Sequence, residues 1–408
     1  MKNANEKKKV LIVANAFMGQ ELSSNNRSVF LPKFLSENGL SVEIIFSNFN
    51  HHTKEYVYEH DHAGKYKVTL LSCISYRKNV SFRRFTSEFL YSFNLRRYLH
   101  SLDYAPDLVY IFCPSLDVAR VALKFARSRS IPAIIDVRDL WPEAFYMLTK
   151  SKALGRVIFY PMEILANSLY QGASAIVAVS ATYLNRASSV RKRPCPSAIV
   201  TLGTSFSYFD VCGSNHSLRK FQKADGEIHF AVVCTLGTSY DLITLFNAFK
   251  KLIARRPMCK LHVFGSGPLA GKFISYAKRI SSSIYFWGRL PYEEMVANLS
   301  LCDIVINSMV PNSPQSLTNK HADYSASGLP VINNQECAEY RELIELNRCG
   351  INCCNGSSDS LFFAMCELVD NPDLMLELGL NHRRMGEYLF DRDVTYSKLL
   401  SFLESQIK

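Results

Sequence analysis

The sequence predicts an α/β protein built from two doubly wound, mostly parallel sheets, and three observations lead there. The chain has 408 residues, 48% of them hydrophobic, too many for one ordinary core and suited to two domains of ~200 residues each. Continuous apolar, β-branched runs alternate with helical patterns along its length, as strands buried on both faces require. That rhythm breaks once and starts afresh in the second half.

The first series of strand-like runs covers residues 10–14, 42–46, 108–112, 133–136 and 175–179; the second covers 228–234, 260–264, 283–287, 303–307 and 330–333. Between them lies a stretch richer in Ser, Gly and polar residues, which places an interdomain linker near 203–225. The expected domains are 1–205, 206–388 and a final helical segment over 389–408. Ligands of doubly wound sheets bind outside the carboxyl ends of the strands, so the chemistry is expected in post-strand loops facing a cleft between the two domains.

No run of ~18 apolar residues is present, and the lysine-rich N-terminus leads directly into the first apolar run without a signal-peptide pattern. The expectation is a cytoplasmic chain, neither secreted nor membrane-spanning. Twelve cysteines are scattered through apolar runs and none forms a C-x-x-C pair, which reads as buried thiols in a reducing compartment. The formal net charge of +11 favours an anionic partner: nucleic acid, an acidic lipid surface or a phosphorylated substrate. Without a nucleic-acid motif, and with basic residues interleaved among apolar runs, nucleic acid is not an expected partner.

The segment richest in chemistry is Asn319-Lys320-His321-Ala322-Asp323-Tyr324-Ser325-Ala326-Ser327-Gly328-Leu329-Pro330-Val331-Ile332. It reads as a helix beginning near 316–318 and closed by Gly328, followed by a short strand opened by Pro330. Lys320 and Asp323 are three residues apart and share a helix face. Backbone N–H groups at the helix start, with Lys320, would stabilise a leaving diphosphate, while Asp323 one turn deeper would accept ribose hydroxyls. A plain surface Lys–Asp pair fits the same spacing.

This segment resembles the N-K-x-x-E-Y-x-A-x-G-x-P-V-I signature of the retaining glycosyltransferase family 4, whose members adopt the GT-B fold of two facing Rossmann-like domains with a cleft between them. The resemblance implies that Asp323 holds the ribose of a nucleotide sugar, that Lys320 meets the diphosphate, and that Asn319 and Gln315 meet the sugar or phosphate edges. Gly265-Ser266-Gly267-Pro268-Leu269 matches the family's G-x-G-P turn, and Phe286-Trp287-Gly288-Arg289-Leu290 resembles its F-x-G-x-[LV] segment, where groups near Arg289 and Leu290 meet the base. Leu236-Gly237-Thr238-Ser239-Tyr240-Asp241 occupies the loop after the first C-terminal strand, bringing Gly237 and Thr238 to the donor. The family's Arg and Lys are absent from that loop, and Gln315 and Asp323 replace the two glutamates of its E-x7-E pair. Lys320, helped by Arg289, is left to neutralise the diphosphate.

In the N-terminal half, Asp136-Val137-Arg138-Asp139-Leu140-Trp141-Pro142-Glu143 is similar to the D-x-x-D-x-W-P-E variant of bacterial polysaccharide-building members. It would project Arg138, Asp139 and Glu143 into the cleft, with Asp139 near the acceptor hydroxyl. Alternatively Asp139 or Glu143 caps the next helix and Trp141 packs in the core. Gly19, in the first loop, loosely matches the family's glycine-containing loop. The last helix, with Tyr396, Leu399, Leu400 and Phe402 at helical spacing, either returns to the N-terminal domain as in GT-B proteins or is a plain amphipathic terminus.

Asp391-Arg392-Asp393 does not end an early strand, so neither a metal nor any other cofactor is expected. His51, His52, His60 and His62 read as an exposed loop more readily than as ligands. Around residues 76–98, Arg83, Arg84, Arg96 and Arg97 stand among Phe82, Phe85, Phe89, Leu90, Tyr91 and Phe93. Such a helix either lies on an anionic membrane surface or buries its apolar face in the domain with the arginines outward.

The expected activity is transfer of a glycosyl group, with retention, from a nucleotide sugar, UDP-linked by the family resemblance, to a glycan or lipid-linked glycan acceptor in cell-surface polysaccharide assembly. Two rivals remain. A GT-B-fold sugar-nucleotide epimerase would alter the sugar without releasing the nucleotide; a non-catalytic binding subunit would bind without turnover.

Overall fold

A computed structural model describes residues 7–17, 26–51, 53–58, 65–77, 81–149 and 151–407. The chain forms two compact units: Met1–Thr201 with Tyr396–Lys408, and Leu202–Thr395.

The N-terminal unit contains β1 (Lys9–Phe17), α1 (Arg27–Glu37), β2 (Ser41–Asn50), β3 (Lys67–Leu71), α2 (Phe82–Ser101), β4 (Leu108–Cys113) and α3 (Leu116–Ser128). It continues through β5 (Ala133–Val137), a 3-10 turn over Glu143–Leu148, α4 (Lys152–Gly172), β6 (Ala175–Ala178), α5 (Ala181–Ser189) and β7 (Ser197–Ile199). Its seven strands are parallel in the order β3-β2-β1-β4-β5-β6-β7. The sheet reverses direction between β1 and β4, the switch point where crevices open in such folds.

The C-terminal unit contains α6 (Phe206–Gly213), β8 (Ile228–Val233), α7 (Leu242–Arg255), β9 (Cys259–Phe264), α8 (Ala270–Ile280), β10 (Ile284–Gly288) and α9 (Tyr292–Leu299). It continues through β11 (Ile304–Asn307), α10 (Asn319–Ala326), β12 (Val331–Asn333), α11 (Ala338–Asn347), β13 (Gly350–Asn352), α12 (Ser358–Asp370) and α13 (Pro372–Leu389). Its six parallel strands run β10-β9-β8-β11-β12-β13, with the switch point between β8 and β11.

Central strands are buried along their whole length: all of β4, β5 and β11 lie inside. The helices cover them with stripes at helical spacing, as when Leu242, Leu245, Phe246, Phe249 and Leu252 of α7 join Phe230, Leu261 and Val263 of the sheet. The last helix, α14 (Arg392–Gln406), leaves the C-terminal unit, and its Tyr396, Leu399 and Leu403 complete the core of β1, β2 and β4.

The sequence reading needs three corrections here. Residues 203–225 are not simply a linker: α6 occupies Phe206–Gly213 and packs Phe206, Phe209 and Cys212 into the C-terminal unit's core. The units divide at residue 201, and the returning segment begins at Tyr396, not at 389. Strands β3, β7 and β13 were not expected, because they are short or half-exposed edge segments without a buried apolar run. All twelve cysteines are free thiols.

Across neighbouring strands β10, β9 and β8 of the C-terminal sheet runs a directed hydrogen-bond chain. Trp287 Nε1 donates to His262 Nδ1 at 3.0 Å; because indole can only donate, His262 carries its proton on Nε2 and presents it to His229 Nδ1 at 3.1 Å. His229 Nε2 in turn lies 2.9 Å from Glu227 Oε2. Burial pulls the His262 imidazole down to about 3 and also lowers His229. His321 and His382, buried elsewhere in the same unit, are pulled down to about 3 and about 4. Folded, these rings stay neutral; unfolded, they bind protons below their ordinary value of 6.5. The C-terminal unit is therefore expected to lose stability as pH falls below that value, by up to about 1.4 kcal/mol per pH unit for each ring still neutral in the fold. Urea unfolding followed by Trp287 fluorescence in a Trp141→Phe background, at pH 7.5 and pH 5, checks this; a midpoint unchanged between the two would contradict it.

Candidate donor site on the C-terminal unit

Three loops meet at the carboxyl ends of β8, β9 and β11. The β8 loop is tied to the β9 loop by Cys234 N to Phe264 O (2.9 Å), Leu236 N to Ser266 O (3.0 Å) and Leu269 N to Leu236 O (2.8 Å). Gly265 N donates to Gly288 O at 2.7 Å, which adds the end of β10. Gly265 has φ +138°, and a Cβ there would lie 1.8 Å from Cys234 O. Glycine at this position is a requirement of that close approach. Gly237 is half-buried in the same loop and Thr238 is exposed beside it. Val310 N to Ser239 O (3.1 Å) then joins the loop after β11 to the loop after β8.

Helix α10 enters this crevice. Thr318 caps it, and His321 closes a capping box by accepting the Thr318 N–H on Nδ1 at 2.8 Å. That leaves the His321 proton on Nε2, turned toward Gln335. Tyr324 fixes the helix against the sheet, its hydroxyl accepting from Val233 N (2.8 Å) and donating to Ile306 O (3.2 Å). The spacing expected from the sequence is present: Lys320 and Asp323 stand on one helix at the β8/β11 switch point.

Their partners come from other loops. Lys320 Nζ lies 5.9 Å from the centroid of the Tyr240 ring and bonds to the Tyr240 hydroxyl. Burial disfavours the ammonium, but Tyr240, Cys234 and Asp323 outweigh it and hold Lys320 above its ordinary value. Asp323 is buried, and its Oδ1 accepts from the Tyr292 hydroxyl at 3.0 Å while Tyr292 contacts Thr204 Oγ1 at 2.6 Å. Tyr240 lies in the loop that the resemblance brings to the donor, but no role was expected of its side chain, and Tyr292, at the start of α9, was not expected in the site at all.

The other expected residues separate into two groups. Gln315 lies in the loop before α10; its carbonyl accepts from Gln335 Nε2 at 2.7 Å, and its buried Oε1 has no hydrogen-bond partner. Asn319 is the first residue of α10 and is half-buried. Arg289 and Leu290, by contrast, follow β10 at the edge of the sheet, separated from β11 by β9 and β8. Arg289 is exposed without a side-chain partner among the described residues, and Leu290 packs on the core. Three strand spacings of ~4.8 Å lie between β10 and β11, so the expectation that Arg289 assists Lys320 gains no contact here.

On the N-terminal unit, Asp139 follows β5, accepts the Leu140 N–H at 2.9 Å, and bonds to the Tyr183 and Trp141 side chains. Burial pushes its carboxyl up to about 6 despite those bonds. Glu143 is ion-paired with Arg186, and Trp141 is buried. Gly19, His52, His60 and His62 lie outside the described residues. His51 Nδ1 lies 2.6 Å from the Tyr76 hydroxyl.

Residues 229–371, most of the unit just described, match the model of the family described as Glycosyl transferases group 1. A GDP-mannose-dependent monoacylated alpha-(1-6)-phosphatidylinositol monomannoside mannosyltransferase of Corynebacterium glutamicum is 24% identical to this chain over 167 residues. The match spans 40% of this chain and 43% of that relative. Among solved structures, sucrose-phosphate synthase from Thermosynechococcus elongatus superposes with a TM-score of 0.72 at 13% identity, covering 98% of this chain and 99% of that one. HepE of Anabaena in complex with UDP gives 0.67 at 12% identity, covering 97% and 100%. At such identities the likeness is one of fold: two Rossmann-like parallel-sheet units, as in GT-B proteins.

Proposed function

We propose that the protein transfers a glycosyl group from a nucleotide sugar, UDP-linked, to an acceptor hydroxyl of a glycan or lipid-linked glycan during cell-surface polysaccharide assembly. The observation that carries this reading is the pairing on α10: a charged Lys320 backed by Tyr240, and a buried Asp323 carboxylate oriented by Tyr292. Asp323 accepts the ribose hydroxyls, Lys320 meets the diphosphate, and the unpartnered Gln315 Oε1 is a ready acceptor for a sugar hydroxyl. Asn319 lies beside them, and Gly237, Thr238 and Gly265 allow close backbone approach of the donor. Asp139 is the proposed acceptor residue.

Transfer with retention breaks the bond from C1 to the diphosphate oxygen and forms the bond from C1 to the acceptor oxygen on the same face. The acceptor proton passes to the departing phosphate, so the step calls on no strong protein base. Lys320 stabilises the charge that grows on that leaving group. The reading requires neither a metal nor another cofactor.

The same reading places the protein at the inner face of the plasma membrane, supported by the surface of the N-terminal unit. The buried side of α2 is Ser87, Glu88, Tyr91, Ser92, Leu95 and Leu99, which leaves Phe82 (87% exposed), Phe85, Phe89 (68%) and Phe93 outside with Arg83, Arg96 and Arg97. On α4, Leu154, Val157 (75%), Ile158, Tyr160 and Ile164 are also exposed. The two helices are linked by Arg84 over Trp141 (5.2 Å), Trp141 against Phe145 (4.7 Å) and Phe145 against Phe159 (5.5 Å). Aromatic and basic side chains at one surface suit an anionic lipid interface. Among the described residues no helix is long and apolar enough to cross a membrane.

The test of donor recognition is calorimetry with UDP, GDP, ADP and their sugars on the wild type and on Asp323→Ala. One diphosphate series should bind and lose at least about tenfold in affinity in the variant, the loss of a hydrogen-bonded charged acceptor. If none binds, the transferase reading falls and a binding subunit for another ligand takes its place.

A further inference from the structure

The N-terminal unit holds a charged cluster that the donor site does not use. Arg27 opens α1 and is fully buried, its Nε 3.3 Å from Asp136 Oδ2 on β5, both side chains without exposure. Its other nitrogens are engaged by Val200 O (2.8 Å) and the Tyr110 hydroxyl (3.4 Å). Arg27 is thus committed to holding α1 on the sheet. Arg138, the first residue after β5, is placed differently. Its backbone N–H donates to Cys113 O at 3.1 Å, and its guanidinium lies 4.8 Å over the Phe112 ring. Among the described residues that guanidinium has no hydrogen bond and no ion pair, and the residue is partly exposed.

Asp136 is the carboxylate that interacts with both arginines. Arg27 already pairs with Asp136, so the Arg138 guanidinium is the cation of this cluster left with its donors available to an anion. The location is the carboxyl end of a parallel strand, one strand from the β1/β4 switch point, where doubly wound sheets bind their ligands. The fork of five N–H donors on Arg138 matches a phosphoryl group better than a lysine would.

We propose that Arg138 anchors an anion site on the N-terminal unit that takes a phosphoryl group, with Arg27 and Asp136 as its rigid support. That the phosphoryl belongs to the acceptor rests on the transfer reading; the site itself does not. Burial draws the Arg138 guanidinium below its ordinary value, with Asp136 opposing and Arg27 reinforcing that shift.

The test is calorimetric titration of inorganic phosphate into Lys320→Gln and into Lys320→Gln/Arg138→Gln, so that the proposed donor cation is absent from both. The single variant should bind phosphate and the double variant at least about tenfold more weakly. Arg138→Lys, which keeps the charge but loses the fork, should fall between them, and decides the matter if the glutamine variant does not fold. Glucose 6-phosphate and farnesyl diphosphate, titrated into the wild type, then separate a soluble phosphosugar from a lipid-linked phosphate as the carrier. Equal phosphate affinity in the single and double variants, or no phosphate binding by Lys320→Gln, overturns the proposal. Either result leaves the donor reading intact, because that stands on Asp323 and nucleotide binding.

Discussion

Lys320→Gln is expected to lower kcat for glycosyl transfer by about 10²–10³-fold while changing the donor KM little. The half-buried ammonium keeps its charge beside the Tyr240 hydroxyl, which accepts its hydrogen bond, and the Asp323 carboxylate. An electrostatic contact of this kind matters most when negative charge builds on the leaving diphosphate, and only such differential stabilisation raises turnover. Glutamine retains a donor of similar reach but no charge. Steady-state rates with saturating donor check the effect; a raised KM with unchanged kcat would mean that Lys320 merely binds the ground state. Loss of the Tyr240 hydroxyl, in Tyr240→Phe, should reproduce a smaller part of the decline, because it removes one of the groups that favour the ammonium.

The largest structural effect is expected from Gly265→Ala. The added methyl would lie 1.8 Å from Cys234 O, a backbone atom that cannot swing aside, at a φ of +138° that L side chains rarely adopt. The β8 and β9 loops must separate, breaking the ties from Leu236 to Ser266 and Leu269 that hold the crevice together. A loss of at least about 3 kcal/mol follows from strain and lost hydrogen bonds together, with nucleotide binding falling alongside. Gly271→Ala is the control: a Cβ there meets nothing within 4 Å, and it sits in α8, where alanine is the better helix former by up to about 1 kcal/mol. Thermal unfolding of the two variants should therefore move in opposite directions.

Ten strands were legible as apolar runs, most of them covered on both faces; Leu108–Cys113 and Ile304–Asn307 show it directly. Three were not, and β13 shows why: Gly350–Asn352 is half-buried and pairs only with β12, so nothing in its composition separates it from a loop. In the site, Lys320 and Asp323 were legible from local spacing. The roles of Tyr292 and Tyr240 were not, because their hydroxyls reach α10 from the start of α9 and from the loop after β8, and only the packed sheet brings them there. The first half of α2 divided against its hydropathy: Glu88 and Ser92 face inward with Tyr91, while Phe82 and Phe89 face out. Glu88 is drawn in by Arg84 Nε at 3.0 Å, four residues earlier on the same helix, and by Ser115 Oγ at 3.3 Å, a partner that a linear reading does not supply.

The chain order of the N-terminal unit has a consequence for how the protein is made. Its last strand ends at Ile199, yet Tyr396, Leu399 and Leu403 are still needed to fill the space beside β1, β2 and β4. A ribosome releases residues in sequence, and domains generally fold as they emerge. The C-terminal unit is contiguous from Leu202 to Thr395, so it can finish while its predecessor still waits for the final turns of α14. The first half to leave the ribosome is thus the last to become complete, and until then its unsealed apolar surface is what chaperones would meet.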